Sequence, residues 1–313
     1  MLIVDILVLP ARKAGRCLIR LDRKAADFSS FINRSAIEML ATAEAIASMA
    51  SLYDERKAVS VIVPCLNEED SADNLSVALE RLESSLSTFD FQFIIVDDGS
   101  TDRSVEDLRF LFRNKSNVRL IEHGENRGIA AAIRTGILAA DTEIVCSMDF
   151  DCTYDPVQFA NLLPAMTDGV DLVTASPYHP EGRVLNVPAW RLMISRCAST
   201  IYRILMRPDL YTYTSCFRVY RKSSIANIEL IHNGFVGVAE LLWRLDNNGG
   251  KIVEIPAVLD VRQFGQSKMR VVEVTAAHLR LLARILVGRV LQNEHSESLE
   301  ATSTDKSTGQ LIN

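Results

Sequence analysis

Ser147–Pro156, SMDFDCTYDP, is where an apolar run ends in two carboxylates with one residue between them. The residues leading into it, Glu143–Met148, are strand-compatible through Ile144, Val145, Cys146 and Met148, and Pro156 with Val157 and Phe159 begins a helix. Residues two apart in a strand share a face, so a strand running into Asp149 and Asp151 aims both carboxylates at one point past its end. Open α/β sheets hold their ligands at that edge. With the hydroxyls of Thr153 and Tyr154 nearby, the pair makes a hard, oxygen-rich site suited to Mg²⁺ or Mn²⁺ bound together with a ligand's phosphates. Taken alone, the same residues also read as a solvated acidic turn capping the next helix.

Working outward, strand patterns alternate with helical ones from Val59 onward, which predicts an α/β domain with a largely parallel sheet. Strands are expected over 59–63, 91–96, 118–121 and 143–148, with helices over 71–86, 103–112 and 129–140 between them. After a short helix and a strand over 171–174 the rhythm breaks. The Pro- and Gly-bearing segment 177–188 is longer than most connections and is a candidate lid. Beyond it come a helix over 189–206, a strand over 216–220, a helix over 237–246, strands over 252–255 and 258–261, and a helix over 271–291. Ahead of the alternation, residues 33–53 carry a helical stripe of Ile37, Leu40, Ile46 and Met49, and Asp54-Glu55-Arg56-Lys57 reads as a linker. The expected organisation is a helical extension over 1–57, an α/β domain over 58–291, and a disordered tail rich in Ser, Thr and Glu over 292–313.

Three further strand ends fall on the same edge as the two aspartates. Asn67 and Glu68 of PCLNEE follow the first strand, Asp97 and Asp98 of VDDGSTD the second, and ENRG, with Asn126 and Gly128, the third. Acidic groups there suit the ribose hydroxyls and base edge of a nucleotide, while Asp149 and Asp151 suit its diphosphate through a metal. Each of NEE and GSTD, by itself, is also a good helix start with an acidic first turn. Four such ends in series on one edge favour a ligand site.

The composition, 48% hydrophobic and 24% charged over 313 residues, is ordinary for a soluble globular chain. A formal net charge of -6 argues against a general nucleic-acid binder. The six cysteines have no zinc-ligand spacing and several sit in apolar strand patterns, which reads as buried thiols in a reducing compartment. In MLIVDILVLP, Asp5 interrupts the apolar run, Pro10 ends it and Arg12 and Lys13 follow it, a charge order opposite to that of a secretory signal. No stretch reaches the roughly 18 apolar residues of a membrane span. No GxGxxG follows the first strand, which weighs against a dinucleotide-binding oxidoreductase.

VSVIVPCLNEE, FIIVDDGSTD, ENRGIAAAIRTG and the DFD stretch together resemble the family 2 glycosyltransferases with the GT-A, nucleotide-diphospho-sugar transferase fold. SPYHPEGRV, WRLMISRCAS, TSCFRVYR, the helix bearing Glu240 and DVRQFGQSKM are similar in order and spacing to the polyprenol-phosphate, or dolichol-phosphate, mannosyltransferases. The resemblance runs from about Val59 to about Arg289. It implies that Pro64, Asn67, Glu68, Asp97, Asp98, Asn126 and Gly128 line the nucleotide pocket. Asp149 and Asp151 would hold the divalent metal, with Thr153 a candidate third ligand. By the same resemblance Arg183 and Arg196 grip a lipid phosphate acceptor, and Arg262 and Lys268 belong to a segment that closes over the phosphates. Glu240 aligns with the acidic position that other family 2 enzymes use as acceptor base; with a phosphate acceptor it instead orients the sugar or begins a helix turn. The chain departs from the pattern at Leu66, where an aromatic is common, at Pro177, where a basic residue is common, and at Cys216, where Gly or Ser is usual.

The expected reaction is inverting transfer of a hexose, mannose from GDP-mannose in the leading reading, to a polyprenyl phosphate. UDP-glucose as donor, a sugar hydroxyl as acceptor, and a nucleotide-sugar binder without turnover are the alternatives. Two basic amphipathic helices, 189–206 with Arg191, Arg196 and Arg203, and 271–291 with Arg280, Arg284 and Arg289, suit an anionic membrane surface or a membrane-protein partner. Their apolar faces are equally suited to packing on the sheet. The expectation is a cytoplasmic protein lying peripherally on the cytoplasmic membrane face.

Overall fold

Apolar runs as continuous as VSVIVPC and FQFIIVD need cover on both faces, and the fold supplies it. The structure, a computed structural model, describes residues 56–187, 189–206, 209–260 and 276–287. The expected extension over 1–57 lies almost wholly outside the described residues, as do the tail, Arg262 and Lys268.

The chain runs β1 (Lys57–Cys65), α1 (Ala72–Ser85), β2 (Phe89–Asp97), α2 (Ser104–Phe112), β3 (Val118–Glu122), α3 (Ile129–Ala139) and β4 (Ile144–Ser147). It continues through α4 (Phe159–Leu162), β5 (Leu172–Ser176), β6 (Arg183–Val184), α5 (Ala189–Leu205), β7 (Arg218–Arg221), α6 (Lys222–Ile225), α7 (Phe235–Asn247), β8 (Ile252–Pro256) and β9 (Val258–Leu259). Residues 276–287 form a last described helix, α8.

Seven strands make one sheet in the order β3-β2-β1-β4-β7-β5-β8. All neighbours are parallel except β7, which runs antiparallel to both β4 and β5. Cys65, Asp97 and Glu122 are aligned across β1, β2 and β3, so these three strands release their chains at one level. Adjacent residues of each strand enter different cores. Val61, Val63, Phe93 and Ile95 pack with Leu75, Leu79 and Leu82 of α1 and Leu108 of α2. Ile62, Ile94 and Val96 pack with Ile133 and Ile137 of α3 and Leu241 and Leu245 of α7. Gly136 allows that second contact to close, because a Cβ there would lie 2.4 Å from Ile62 Cγ2.

A third cluster joins α5, α7 and α8 through Tyr202, Met206, Leu242, Leu281 and Ile285. The Tyr202 hydroxyl meets His278 Nδ1 at 2.7 Å, and burial together with nearby His232 lowers the pKa of His278. Both outer helices thus bury one face while keeping other apolar side chains outside: Met193, Ile201 and Ile204 on α5, and Leu279, Leu286 and Val287 on α8. Among the described residues no helix is long and apolar enough to cross a membrane.

The segment expected as a free loop over 177–188 is partly pinned. Its β6 pairs in parallel with β9 as a separate two-stranded sheet, and the Asn186 side-chain amide donates to Asp260 at 3.0 Å.

Candidate active site

The exits of β1, β2 and β3 are stitched into one rim by side chains that bond to backbone. Asn67, held at φ 54°, accepts the Thr101 N–H at 2.7 Å, and its own N–H goes to the Ser100 hydroxyl at 2.8 Å. The Glu68 N–H goes to the Ser104 hydroxyl at 2.7 Å, and the Arg103 N–H to the Glu69 carboxylate at 3.0 Å. These are cross-loop bonds. The N-cap residues of α1 and α2 make no side-chain capping bond, but Asp102 accepts the N–H of Ser104, the first residue of α2, at 3.0 Å, so the helix-start reading of GSTD holds for Asp102 while Asn67 and Glu69 bond across the loops.

Asp97 and Asp98 are each 3% exposed. Asp97 turns its carboxylate back on the chain, taking the N–H groups of Gly99 and Ser100 at 3.1 Å. Asp98 accepts from His123 Nδ1 at 2.8 Å, from the Arg127 N–H at 2.9 Å and from the Gly128 N–H at 2.7 Å. The second and third loops also meet without room to spare: a Cβ on Gly99 would fall 2.5 Å from the Glu125 carbonyl carbon. Gly128 has φ 104°, a conformation costly for any residue with a side chain. Pro64 lies buried within β1, while the Asn126 and Arg127 side chains are exposed on the rim.

The two aspartates of DFD stand just past β4, whose exit is tied to the rim by the Met148 N–H to the Ile62 carbonyl at 3.1 Å. As expected they lie past the strand, though the alternation of strand residues does not set their directions. The chain turns there, the Cys152 N–H reaching the Asp149 carbonyl at 3.3 Å with Cys152 at φ 53°. Phe150 between them is buried with Met148 and Tyr154, leaving Asp149 and Asp151 on the half-exposed side of the turn. Asp151 is fixed by the Thr153 hydroxyl, which donates to it at 2.6 Å. Burial and the Asp149 carboxylate push the Cys216 thiol well above its ordinary pKa, and the two groups are hydrogen-bond neighbours. Burial and three surrounding aspartates likewise push Cys152 up to about 12, so neither thiol ionises near neutrality. Among the described residues no three His, Cys, Asp or Glu side chains gather as a metal cage. Two carboxylates fit Mg²⁺ or Mn²⁺ where phosphate oxygens and water complete the coordination.

Two arginines lie on elements that follow β5, which the sheet order places on the other side of β4 from the rim. The Arg183 N–H pairs with the Ala257 carbonyl at 3.0 Å, and the strand that follows Ala257 touches the DFD segment through a Tyr154–Leu259 bridge and the Asp260 N–H to the Thr153 carbonyl at 3.0 Å. Arg183 is therefore joined to the aspartate turn through β9. The Arg196 guanidinium, exposed on α5, stands 5.2 Å from the centre of the Tyr178 ring.

Glu240 occupies a different position. Its carboxylate, 1% exposed, accepts from the N–H groups of Ile231 and His232, from His232 Nδ1 at 2.9 Å and from Arg244 Nε at 2.7 Å. Burial acts to raise its pKa, but these donors outweigh burial and lower it. The segment it holds delivers the Asn233 carbonyl to the N–H groups of Ala130 and Ala131 at the start of α3. Arg218, wholly buried, gives its guanidinium to the carbonyls of Val238 and Tyr213 at 2.7 and 2.8 Å. His123 and Tyr178 were not singled out by sequence reasoning, and only their places, His123 two residues before Glu125 of ENRG and Tyr178 within SPYHPEGRV, mark them.

A sequence profile described as glycosyl transferase family 2 matches residues 60–228. A protein of Pyrococcus furiosus named dolichol-phosphate mannosyltransferase is 30% identical over 214 residues, 68% of this chain. That match spans 59% of the relative's length, so this chain covers little more than half of it. The polyprenol monophosphomannose synthase of Mycolicibacterium smegmatis is 30% identical over 218 residues, 67% of this chain and 80% of the relative. Among solved structures, glucosyl-3-phosphoglycerate synthase from Mycobacterium tuberculosis, in complex with Mn²⁺, UDP and phosphoglyceric acid, superposes with a TM-score of 0.55 at 18% identity. It covers 74% of this chain and 78% of its own, a likeness of fold.

Proposed function

Because the chain belongs to glycosyl transferase family 2, we propose that it moves a hexose from a nucleotide sugar onto a polyprenyl phosphate at a membrane surface. The observation that carries the reading is the joining of exposed Arg183, through β9, to the turn that bears Asp149 and Asp151. The names of two relatives, one dolichol-phosphate and one polyprenol, add the acceptor class and mannose as the sugar. GDP-mannose is the leading donor. A UDP-sugar is the second reading, favoured by the UDP complexes of the glucosyl-3-phosphoglycerate synthase that shares the fold.

In this reading Asp149 and Asp151, with Thr153 beside them, would hold Mg²⁺ or Mn²⁺, as the Mn²⁺ and Mg²⁺ complexes of the synthase that shares the fold support. A divalent ion bound there supplies charge neutralisation for the departing diphosphate. Pro64, Asn67, Glu68, Asp97, Asp98, Asn126 and Gly128 form or brace the nucleotide pocket. The acceptor phosphate oxygen attacks the anomeric carbon, the bond from that carbon to the nucleotide diphosphate breaks, and the nucleotide diphosphate leaves with the electron pair. One displacement of this kind inverts the anomeric centre. A phosphate oxygen is already charged at neutral pH, so no strong general base is needed. Arg183 and Arg196 position that oxygen, and Arg262 and Lys268 meet the phosphates from the segment that follows Asp260. Glu240, with its lowered pKa, braces the loop that caps α3 rather than accepting a proton. The α/β domain over 58–291 carries the reaction, and α5 and α8 rest on the cytoplasmic leaflet.

Transfer of radiolabelled sugar from GDP-mannose, and in parallel from UDP-glucose, to a short polyprenyl phosphate with Mn²⁺ tests the reading. Label in the organic phase that disappears with a chelator supports it and identifies the donor. No label from either donor, with nucleotide binding intact, overturns the acceptor class.

A further inference from the structure

Arg196 stands over an aromatic face. Among the described residues its guanidinium has no carboxylate partner and no hydrogen-bond acceptor, and its recorded contact is the Tyr178 ring at 5.2 Å. Arg203, one helical stretch later on α5, shows the contrast. It also stands over a tyrosine, Tyr211 at 4.8 Å, but its guanidinium is taken by Asp209. An arginine stacked on a ring keeps all five of its N–H donors for a ligand while losing much of its freedom to move. An ion pair fixes the side chain and consumes those donors.

Tyr178 is itself well placed to do this. It follows β5 directly and is half-buried in a tight turn, with the His179 N–H on the Ser176 hydroxyl at 3.2 Å and the Gly182 N–H on the His179 carbonyl at 2.7 Å. Gly182 closes that turn, since a Cβ there would lie 2.5 Å from the Ser176 carbonyl oxygen. Ser176 is in turn joined to Thr212 at 2.7 Å, so the base of the turn is locked on both sides. The phenol of Tyr178 is near enough to Tyr154 to act on it electrostatically, and Tyr154 feels Asp149 as well.

We propose that Tyr178 is a positioning residue that holds Arg196, with its N–H groups free, for the anionic head of the acceptor; this rests on the reading of Arg196 given above. The ring is required and the hydroxyl is not. A surface contact of this kind supplies about a two- to fivefold effect.

The test measures acceptor and donor KM and kcat, and equilibrium binding of a short polyprenyl phosphate, for Tyr178→Phe, Tyr178→Leu, Arg196→Ala and the Leu/Ala double variant. Thermal midpoints establish that each is folded, and Tyr178→Met replaces the leucine variant should it unfold. The expected result is an unchanged Tyr178→Phe and an acceptor KM raised about two- to fivefold in Tyr178→Leu with donor KM unmoved. The double variant should be no worse than Arg196→Ala. Tyr178→Leu with wild-type acceptor KM, or an effect that adds in full to Arg196→Ala, overturns the inference and leaves Arg196 in its role. Arg196→Ala with wild-type acceptor KM overturns the reading of Arg196 and this inference together, as does a wild-type protein that binds no polyprenyl phosphate.

Discussion

His123 Nδ1 lies 2.8 Å from Asp98 Oδ1, and both side chains are 4% exposed. A carboxylate only accepts, so the imidazole donates from Nδ1 and meets Thr135 of α3 with its other nitrogen at 2.8 Å. Asp98 thereby ties the exit of β2 to the exit of β3 and to the helix that follows it. The nucleotide rim owes its shape to this buried pair as much as to any exposed acid.

Asp98→Asn replaces one accepting oxygen by an amide that faces the N–H of Arg127 or Gly128. Leaving buried donors unpaired costs about 1–3 kcal/mol each. The expected outcome is a loss of about 2–4 kcal/mol in urea unfolding together with a raised donor KM. Donor KM raised at unchanged stability would show that Asp98 reads the nucleotide directly and does not brace the loop.

Glu240 carries a pH dependence whose sign follows from its lowered pKa. Its native value is below the ordinary 4.5, so its contribution is fully present above pH 4.5 and is lost as pH falls through the native value. Glu240→Gln keeps the shape and removes the charge that pairs Arg244. It should lower stability by about 2–4 kcal/mol at pH 7 and flatten the decline of stability below pH 4.5, as measured by denaturation across a pH series. Stability that keeps its wild-type acid limb would remove Glu240 as its source.

The sheet was legible in the sequence because β1, β2 and β3 are dense in Val, Ile and Phe and end at polar, turn-forming residues. Those features have local causes. The antiparallel direction of β7 was not legible, because RVYR reads the same whichever way its neighbours run. The strand leading to DFD is legible to within a residue at each end, but the shape of DFD itself is not, since the turn is set by Cys152 at positive φ and the Asp149 carbonyl bond. The rim acids were visible as a set of four strand ends. Whether Asp98 faces a ligand or a neighbouring loop depends on His123, 25 positions away, which no local pattern reports. The Tyr178–Arg196 contact is equally tertiary, since it requires the 176–182 turn to fold back toward α5.

Asp151→Ala removes one of two carboxylates at the turn and the acceptor for Thr153. With no third acidic ligand among the described residues, the remaining Asp149 is a poor holder of a divalent cation. Transfer should fall by at least about a hundredfold, while the loss of one half-exposed hydrogen bond costs only about 1 kcal/mol of stability. Titration of Mn²⁺ against transfer rate, alongside a thermal melt, separates the two effects. Full activity at ordinary Mn²⁺ would remove the DFD turn from the mechanism.

Met193 and Ile204 on α5 and Leu279 on α8 are 63%, 70% and 58% exposed, on helices that also carry Arg196, Arg203, Arg280 and Arg284. Such side chains contribute nothing to the core they face away from, and entering the acyl boundary of a bilayer removes their surface from water. Full burial of each contributes about 1.5–3 kcal/mol, so even half-burial of three exceeds the roughly 1.4 kcal/mol of a tenfold change. Met193→Ser, Ile204→Ser and Leu279→Ser combined should therefore weaken co-sedimentation with anionic vesicles at least about tenfold, while thermal stability stays within about 0.5 kcal/mol of wild type. Transfer to a water-soluble short-chain acceptor should be retained, because none of the three is placed among the groups that hold donor or acceptor phosphate. Vesicle binding unchanged by the triple substitution would assign membrane contact to another surface, and loss of transfer to the soluble acceptor would mean that these side chains seat the acceptor itself.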